Sequence, residues 1–468
     1  MVFSSLVFLF QFLPAALAVY FLSPKKLRNG VLLAASLVFY AWGEPVYILL
    51  MIFSTVFDYG NGLLIERFRH RKAVARAVFI GSLIGNLAVL CFFKYAGFIA
   101  DNLNALFGLE LRAADLPLPI GLSFYTFQTM SYAADVYFGK VKAQRNLVAF
   151  GAYVAMFPQL VAGPIVKYGD IARRLAARNM TPERFGKGAE LFIRGLGKKV
   201  LLANPLGLLW TSVQTAPAEE TTVLTAWLGI LAFTLQIYFD FSGYSDMARG
   251  LAKLLGFDFK INFNYPYTSH SVTEFWRRWH ISLGSWFREY VYIPLGGNRG
   301  GLARQLRNVL IVWFLTGLWH GASWNFVVWG LYFGLLVTIE KLFLLQGLQR
   351  LPRPLSHLYL LLAVVLGWVW FEFASMPAAW QFVGQLFGFS ASGWADDQAL
   401  YHLSTYGIVL AAAALCATPF PRKWLIRLSR KWRPGGAIAV PLFYLSLLVL
   451  STAYLVSETY NPFLYFRF

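Results

Sequence analysis

The chain has 468 residues, of which 58% are hydrophobic, 18% aromatic and only 13% charged, a composition that excludes a soluble globular protein and indicates an integral membrane protein with many spans. Lys and Arg number 41 against 22 Asp and Glu, and the positive residues gather in short connectors; this is the positive-inside pattern, and a nucleic-acid partner is the poorer reading. The two cysteines, Cys91 and Cys416, sit inside apolar runs, which excludes a disulfide framework, a cysteine zinc site and a redox pair and leaves both as packing residues.

The run from Val2 to Leu22 has no basic flank and no small-residue cleavage site, so it reads as a first span and not as a removed signal peptide. Basic connectors follow at Lys25–Arg28, Arg67–Arg76, Lys140–Arg145, Lys167–Lys199, Lys260–Arg307, Lys341–Arg353 and Arg422–Arg433; all are expected on the cytoplasmic side. Between the first two, residues 30 to 57 are interrupted by Trp42-Gly43-Glu44-Pro45 and give two short spans. Residues 77 to 93 and 117 to 138 form a second out-and-back pair around an outer loop with Asp101, Glu110 and Asp115. A third pair, 355 to 373 and 404 to 419, surrounds a loop at 374 to 403 that carries Asp396 and Asp397 but no Lys or Arg. Residues 437 to 456 make the last exit.

Parity fails in the middle. The run 146 to 166 has basic residues on both sides and contains Pro158, Gly163 and Pro164, so a broken or re-entrant helix is expected. The same holds for 282 to 297, which ends in Pro294-Leu295-Gly296-Gly297. Thr181-Pro182-Glu183 reads as a helix start, with an N-cap threonine, proline at the first position and an acid in the first turn; that helix would run to about Lys199 along the cytoplasmic interface. The reading is thus an all-α polytopic membrane protein, one membrane-embedded domain over 1–468, with about nine to twelve spans and one or two re-entrant segments.

His320 lies in an uncharged stretch from Asn308 to Ile339. As one straight helix this stretch would measure roughly 48 Å, against a hydrocarbon core of about 30 Å. A break near Gly321 is expected, and irregular backbone at membrane depth is tolerated where it is buried in protein or lines a cavity. An ionisable group there is costly and usually functional. His320 is a candidate general base, with Trp319 and Trp324 excluding water and Gly321 admitting a substrate to the backbone. The alternative is a buried histidine bonded to another helix.

His280 ends the basic, tryptophan-rich run Glu274-Phe275-Trp276-Arg277-Arg278-Trp279-His280. One reading is an interfacial anchor, because Trp and Arg favour the headgroup zone. The other places Arg277, Arg278 and Arg288 around the phosphates of an acyl carrier, with Trp279 and His280 at a catalytic cavity. No short ligand spacing links His270, His280 and His320, so a zinc site is not expected. Gln236, Asp240 and Tyr244 repeat at four-residue spacing and share a helix face; they either orient a catalytic group or substrate, or act as interhelical hydrogen-bond glue. A weaker signal of the same kind lies at Gln128 and Asp135. No Walker A, G-x-G-x-x-G, G-x-S-x-G or kinase motif is present, which argues against direct ATP use, nicotinamide chemistry and hydrolase-type serine catalysis.

These motifs, with the opening Met1–Ser5, Tyr40–Gly43, Pro119–Gln128, Phe157–Ile165, Asp240–Asp246, Phe275–Leu283, Leu318–Gly321 and the ending Pro462–Phe468, resemble the membrane-bound O-acyltransferase (MBOAT) family in its bacterial, alginate O-acetylation branch. The resemblance runs over essentially the whole length. It implies a fold with a central funnel or tunnel meeting at a histidine; the principal catalytic position falls on His320 and the second, Asn or His in the family, on His280. It further implies an acetyl donor on the cytoplasmic side, acetyl-CoA or another acyl thioester, with no permanently bound cofactor. An SGNH-type extracytoplasmic acetyltransferase or a polysaccharide would be the acceptor, and the bacterial inner membrane the address. In this setting His320 takes the hydroxyl proton while His280 positions the donor or stabilises the oxyanion. The competing classes are a polysaccharide-precursor transporter or flippase and a non-catalytic scaffold of an acetylation complex.

Overall fold

A computed structural model describes residues 1–112, 116–161, 163–431, 433–458 and 463–464. Asp115, Ala162, Pro462 and Tyr465–Phe468, which entered the motifs above, lie outside the described residues. Among the described residues the chain is helical, with no strand, as expected of an all-α membrane protein. Seven helices are long and apolar enough to cross a membrane, and two shorter apolar helices cover Phe8–Leu22 and Arg28–Ala41. Contacts divide the chain into two compact units, Met1–Phe192 with Ser245–Lys260, and Ile193–Tyr244 with Ile261–Phe468.

The first unit contains α1 (Leu13–Leu22), α2 (Arg28–Ala41), α3 (Ile48–Arg67), α4 (Lys72–Phe107), α5 (Leu122–Tyr137), α6 (Leu147–Val154), α7 (Tyr168–Ala176) and most of α8 (Pro182–Gly197). Helix α4 is longer than the expected span 77–93 and carries Asp101 within it, so that acid is helical and not in a loop. Cys91 is on the exposed side of α4 and not in the interior. Helices α3, α4 and α5 are joined by a buried polar network. Ser82 Oγ and Asn86 Nδ2 donate to Asp58 Oδ1 at 3.0 and 2.8 Å, and Thr129 Oγ1 donates to Asn86 Oδ1 at 3.1 Å. Such bonds hold helices together where apolar surface alone gives no preference for a partner over lipid. Helix α6 ends at Val154 and gives way to turns from Phe157 to Val161, the break expected around Pro158. The freed Phe157 N–H donates to Ser36 Oγ at 3.0 Å, and Gln128 Nε2 donates to Tyr153 O at 2.9 Å. Backbone polarity exposed by the break is therefore absorbed by neighbouring side chains.

Helix α8 starts where Thr181-Pro182-Glu183 indicated, with Thr181 Oγ1 accepting from Arg184 N–H at 3.2 Å. Its α-helical hydrogen bonding ends at Gly197, close to the expected Lys199. A wider turn at Lys198–Ala203 then carries the helix on into α9 (Asn204–Gln214).

The second unit contains α9 and most of α10 (Val223–Leu254), then α11 (Val272–Arg278), α12 (Ile281–Phe287), α13 (Leu302–His320), α14 (Trp324–Ile339), α15 (Leu345–Arg350) and α16 (Arg353–Glu372). It closes with α17 (Met376–Leu386), α18 (Asp397–Cys416), α19 (Phe420–Lys431) and α20 (Arg433–Ser457). The loop expected at 374–403 thus holds a helix of its own, α17. Helices α13 and α14 form a hairpin with very close backbones. A Cβ on Gly317 would lie 2.3 Å from Phe326 O, and one on Gly330 would lie 2.4 Å from Trp313 O. Small residues at such crossings let helices approach to backbone contact. Around them lies an aromatic core that includes Tyr238, Tyr267, Phe275, Trp279, Trp329, Phe333, Trp368 and Phe371.

Candidate active site

The break in the Asn308–Ile339 stretch falls where expected. Helix α13 ends at His320, Gly321 is extended, and α14 starts at Trp324. His320 is buried, and its ring meets those of Trp319, Trp329 and Phe371 with centroids 5.0, 4.9 and 5.3 Å apart, all edge-on. Trp324, expected to shape the cavity with Trp319, is 58% exposed; the helical register of α14 turns Trp329 toward His320 instead. Gly321 is also explained differently. A Cβ there would stand 2.1 Å from two ring atoms of Phe326, so the glycine makes room for that ring. The turn is tied to α16 through Asn325, which accepts from Ser323 Oγ and donates to Phe371 O.

His280 is set by an independent device. It joins α11 to α12 in a left-handed conformation, φ 45° and ψ 52°, and with Tyr265 it is one of two non-glycine residues at positive φ among the described residues. Strain of this sort costs of order 1–3 kcal/mol and persists where the surroundings over-determine it. Here Ile281 N–H donates to Asn262 O and Asn264 N–H to Arg278 O, both at 2.9 Å. Upstream, α11 is fixed by its N-cap Ser271, whose hydroxyl accepts from Glu274 N–H at 3.1 Å, and by Glu274, which accepts from His270 N–H, one residue before the cap, at 2.9 Å. The wholly buried Glu340 accepts from Val272 N–H and Thr273 N–H at 2.6 and 2.8 Å. A carboxylate on the first amides of a helix satisfies its orphan donors and complements its dipole.

Both histidines reach one ring. Trp319 lies 5.0 Å from the His320 centroid and 6.0 Å from that of His280, and His280 is further enclosed by Phe241 and Phe263. Two buried imidazoles on either side of one indole are an arrangement in which a histidine can act as a base shielded from bulk solvent.

The remaining sequence candidates separate. Trp279 belongs to the aromatic core, stacked on Phe275 at 5.5 Å and 5.0 Å from Trp368. Arg278 is engaged by Glu274 at 2.6 Å and by Thr268, whereas Arg277 and Arg288 are exposed. Gln236, Asp240 and Tyr244 are all buried on α10. Asp240 pairs with the buried Lys199 at 2.6 Å and accepts from Leu464 N–H at 2.8 Å; Tyr244 stacks on Phe463 at 4.7 Å. Two of these three thus contact residues 463–464. Gln128 is bonded to Tyr153 O, and Asp135 lies 3.4 Å from Lys140 Nζ. Sequence reading missed Asn262 and Glu340. The N-x-N repeat at Asn262 and Asn264, two residues before Pro266, was the available signal for the first.

The membrane-bound O-acyltransferase family model matches residues 140–371, the interval that holds both histidines. A probable alginate O-acetylase AlgI of Azotobacter vinelandii is 45% identical over 83% of this chain and 78% of its own length. The protein of the same name from Pseudomonas putida is 39% identical over the full length of both chains. A peptidoglycan O-acetyltransferase of Helicobacter pylori is 31% identical over 81% of this chain and 78% of its own. With a polytopic helical fold and two buried histidines on the matched interval, this chain belongs to the membrane-bound O-acyltransferase family and is an acyltransferase of the membrane.

Proposed function

We propose that the protein transfers an acetyl group from a cytoplasmic thioester, acetyl-CoA, toward O-acetylation of an exopolysaccharide such as alginate on the far side of the bacterial inner membrane. The observation that carries this reading is the contact of His280 and His320 with the one indole of Trp319. It supports a site reached by two substrates, the donor from the basic side and a hydroxyl from the outer side through a tunnel. His320 accepts the hydroxyl proton as the oxygen attacks the thioester carbonyl carbon; the C–O bond forms, the C–S bond breaks, and the proton passes to the departing thiolate. Exposed Arg277 and Arg288 suit the phosphates of the donor. The acceptor hydroxyl belongs either to the sugar or to an SGNH-type acetyltransferase that completes delivery. The relatives named as acetylases of alginate and peptidoglycan support an acetyl donor and a polymer acceptor.

The test is acetyl transfer from radiolabelled acetyl-CoA by the purified full chain in detergent, with and without an SGNH-type partner. Label appearing on the partner or polymer, dependent on this chain, is the expected result. Label transfer that proceeds equally without this chain overturns it.

A further inference from the structure

Asn262 is buried to 1% exposure, and its side-chain oxygen is a meeting point for three groups. It lies 3.0 Å from Ser282 N, 2.9 Å from Ser282 Oγ and 3.3 Å from His280 Nδ1. The orientation of an asparagine amide is settled by neighbours whose roles are unambiguous. A backbone N–H can only donate, so the atom facing Ser282 N is the amide oxygen and cannot be the nitrogen. An amide oxygen can only accept. The imidazole nitrogen facing it must therefore carry the hydrogen, since two lone pairs would otherwise be opposed in a buried site where an unmade bond costs most.

This fixes the chemistry of the other ring nitrogen. A neutral imidazole with hydrogen on Nδ1 has its lone pair on Nε2. Enclosure by Phe241, Phe263 and Trp319 makes a charged ring costly and favours the neutral form. The left-handed backbone at His280 and the extended pairing of 262–264 with 278–281 hold the ring against Asn262. The geometry points to Asn262 as a positioning residue that locks His280 in the Nδ1–H tautomer, so that Nε2 accepts a hydrogen bond from the substrate and does not donate one to an oxyanion. This rests on the acyl-transfer reading for its consequence, but the tautomer itself does not. Of the two roles expected of His280, positioning the donor and stabilising the oxyanion, this tautomer favours the first, because Nε2 then has no hydrogen to offer an oxyanion.

The experiment is nitrogen NMR of the full chain labelled with 15N-histidine in lipid bilayers, the His280 signals being identified by their loss in His280→Asn. The expected spectrum shows hydrogen on Nδ1 and none on Nε2. Asn262→Ala should populate the other tautomer and lower kcat for acetyl transfer roughly 10- to 100-fold, the range found when a metal-binding histidine loses its outer hydrogen-bond partner. Asn262→Asp retains an acceptor for Nδ1–H and for Ser282. It should restore the tautomer and move the acid limb of the pH–rate profile to higher pH, because a carboxylate stabilises the imidazolium and delays the neutral form. Hydrogen on Nε2 in the unaltered protein, or an unchanged tautomer in Asn262→Ala, overturns the inference. Failure of acetyl transfer with a correct tautomer would instead count against the function proposed above.

Discussion

Lys199 Nζ stands 2.6 Å from Asp240 Oδ1 with both side chains below 5% exposure, and the second oxygen of the same carboxylate holds Leu464 N–H. One ion pair thus links α9's approach, α10 and residue 464 within a single unit. Removing one partner strands the other charge, and such losses run to about 3–5 kcal/mol. Lys199→Met and Asp240→Leu are each expected to lower the melting temperature in detergent strongly. The double variant should recover part of the loss, because no buried charge remains. A double variant as unstable as the sum of the singles would show that the pair itself is not the linkage.

His320→Ala, with protein still present in the membrane at normal level, should reduce acetyl transfer by about 10²–10⁴-fold, the range of a general base. Donor binding, measured separately by displacement of labelled acetyl-CoA, should change little. Normal transfer by this variant would remove His320 from the mechanism.

Gly321→Ala should lower activity without unfolding the chain. The new methyl falls 2.1 Å from two atoms of the Phe326 ring, so that ring must move, and it packs on Phe371, 5.2 Å from it and itself against His320. Gly330→Ala should act otherwise, since its obstacle is the carbonyl oxygen of Trp313, which no rotamer change moves. There the expected result is loss of stability of at least about 1–3 kcal/mol, read by thermal unfolding, with expression falling in step.

These effects divide along what the sequence could display. The break at Gly321 was legible because an uncharged stretch too long for the bilayer carried a histidine and a glycine together. The helix start at Thr181 was legible because capping is local. Asn262 and Glu340 were not, since their partners lie 18 to 20 and 67 to 68 residues away and only tertiary packing unites them. Glu340, next to Lys341 in a basic connector, reads in sequence as a solvated acid. Asp240 and Tyr244 were located on one helix face correctly, yet spacing alone could not distinguish a substrate from residues 463–464 as their partner.

Asp258 provides a pH test in the first unit. Burial alone would raise its carboxyl, but hydrogen bonds and charge from Arg184 and Lys253 outweigh that and hold it below its ordinary value. A depressed carboxyl contributes stability that is full above the unfolded value near about 3.9 and is lost as pH falls through the folded one. Asp258→Asn should therefore melt below the unaltered protein at pH 7, with the gap closing in acid below about pH 4. Because the side chain is 41% exposed, added salt should narrow the gap as well. A gap independent of pH would attribute the effect to packing.

The left-handed turn at His280 has a practical bearing on how its role is dissected. Most replacements there confound two losses, that of the imidazole and that of a comfortable backbone. Alanine and, above all, valine or threonine would tax the main chain at φ 45°, whereas asparagine and glycine adopt that region readily. A substitution series at this position therefore sorts by backbone tolerance before it sorts by chemistry. Asparagine is the replacement whose kinetic defect can be attributed to the missing ring, and glycine the one that reports on what the turn contributes when the side chain is gone.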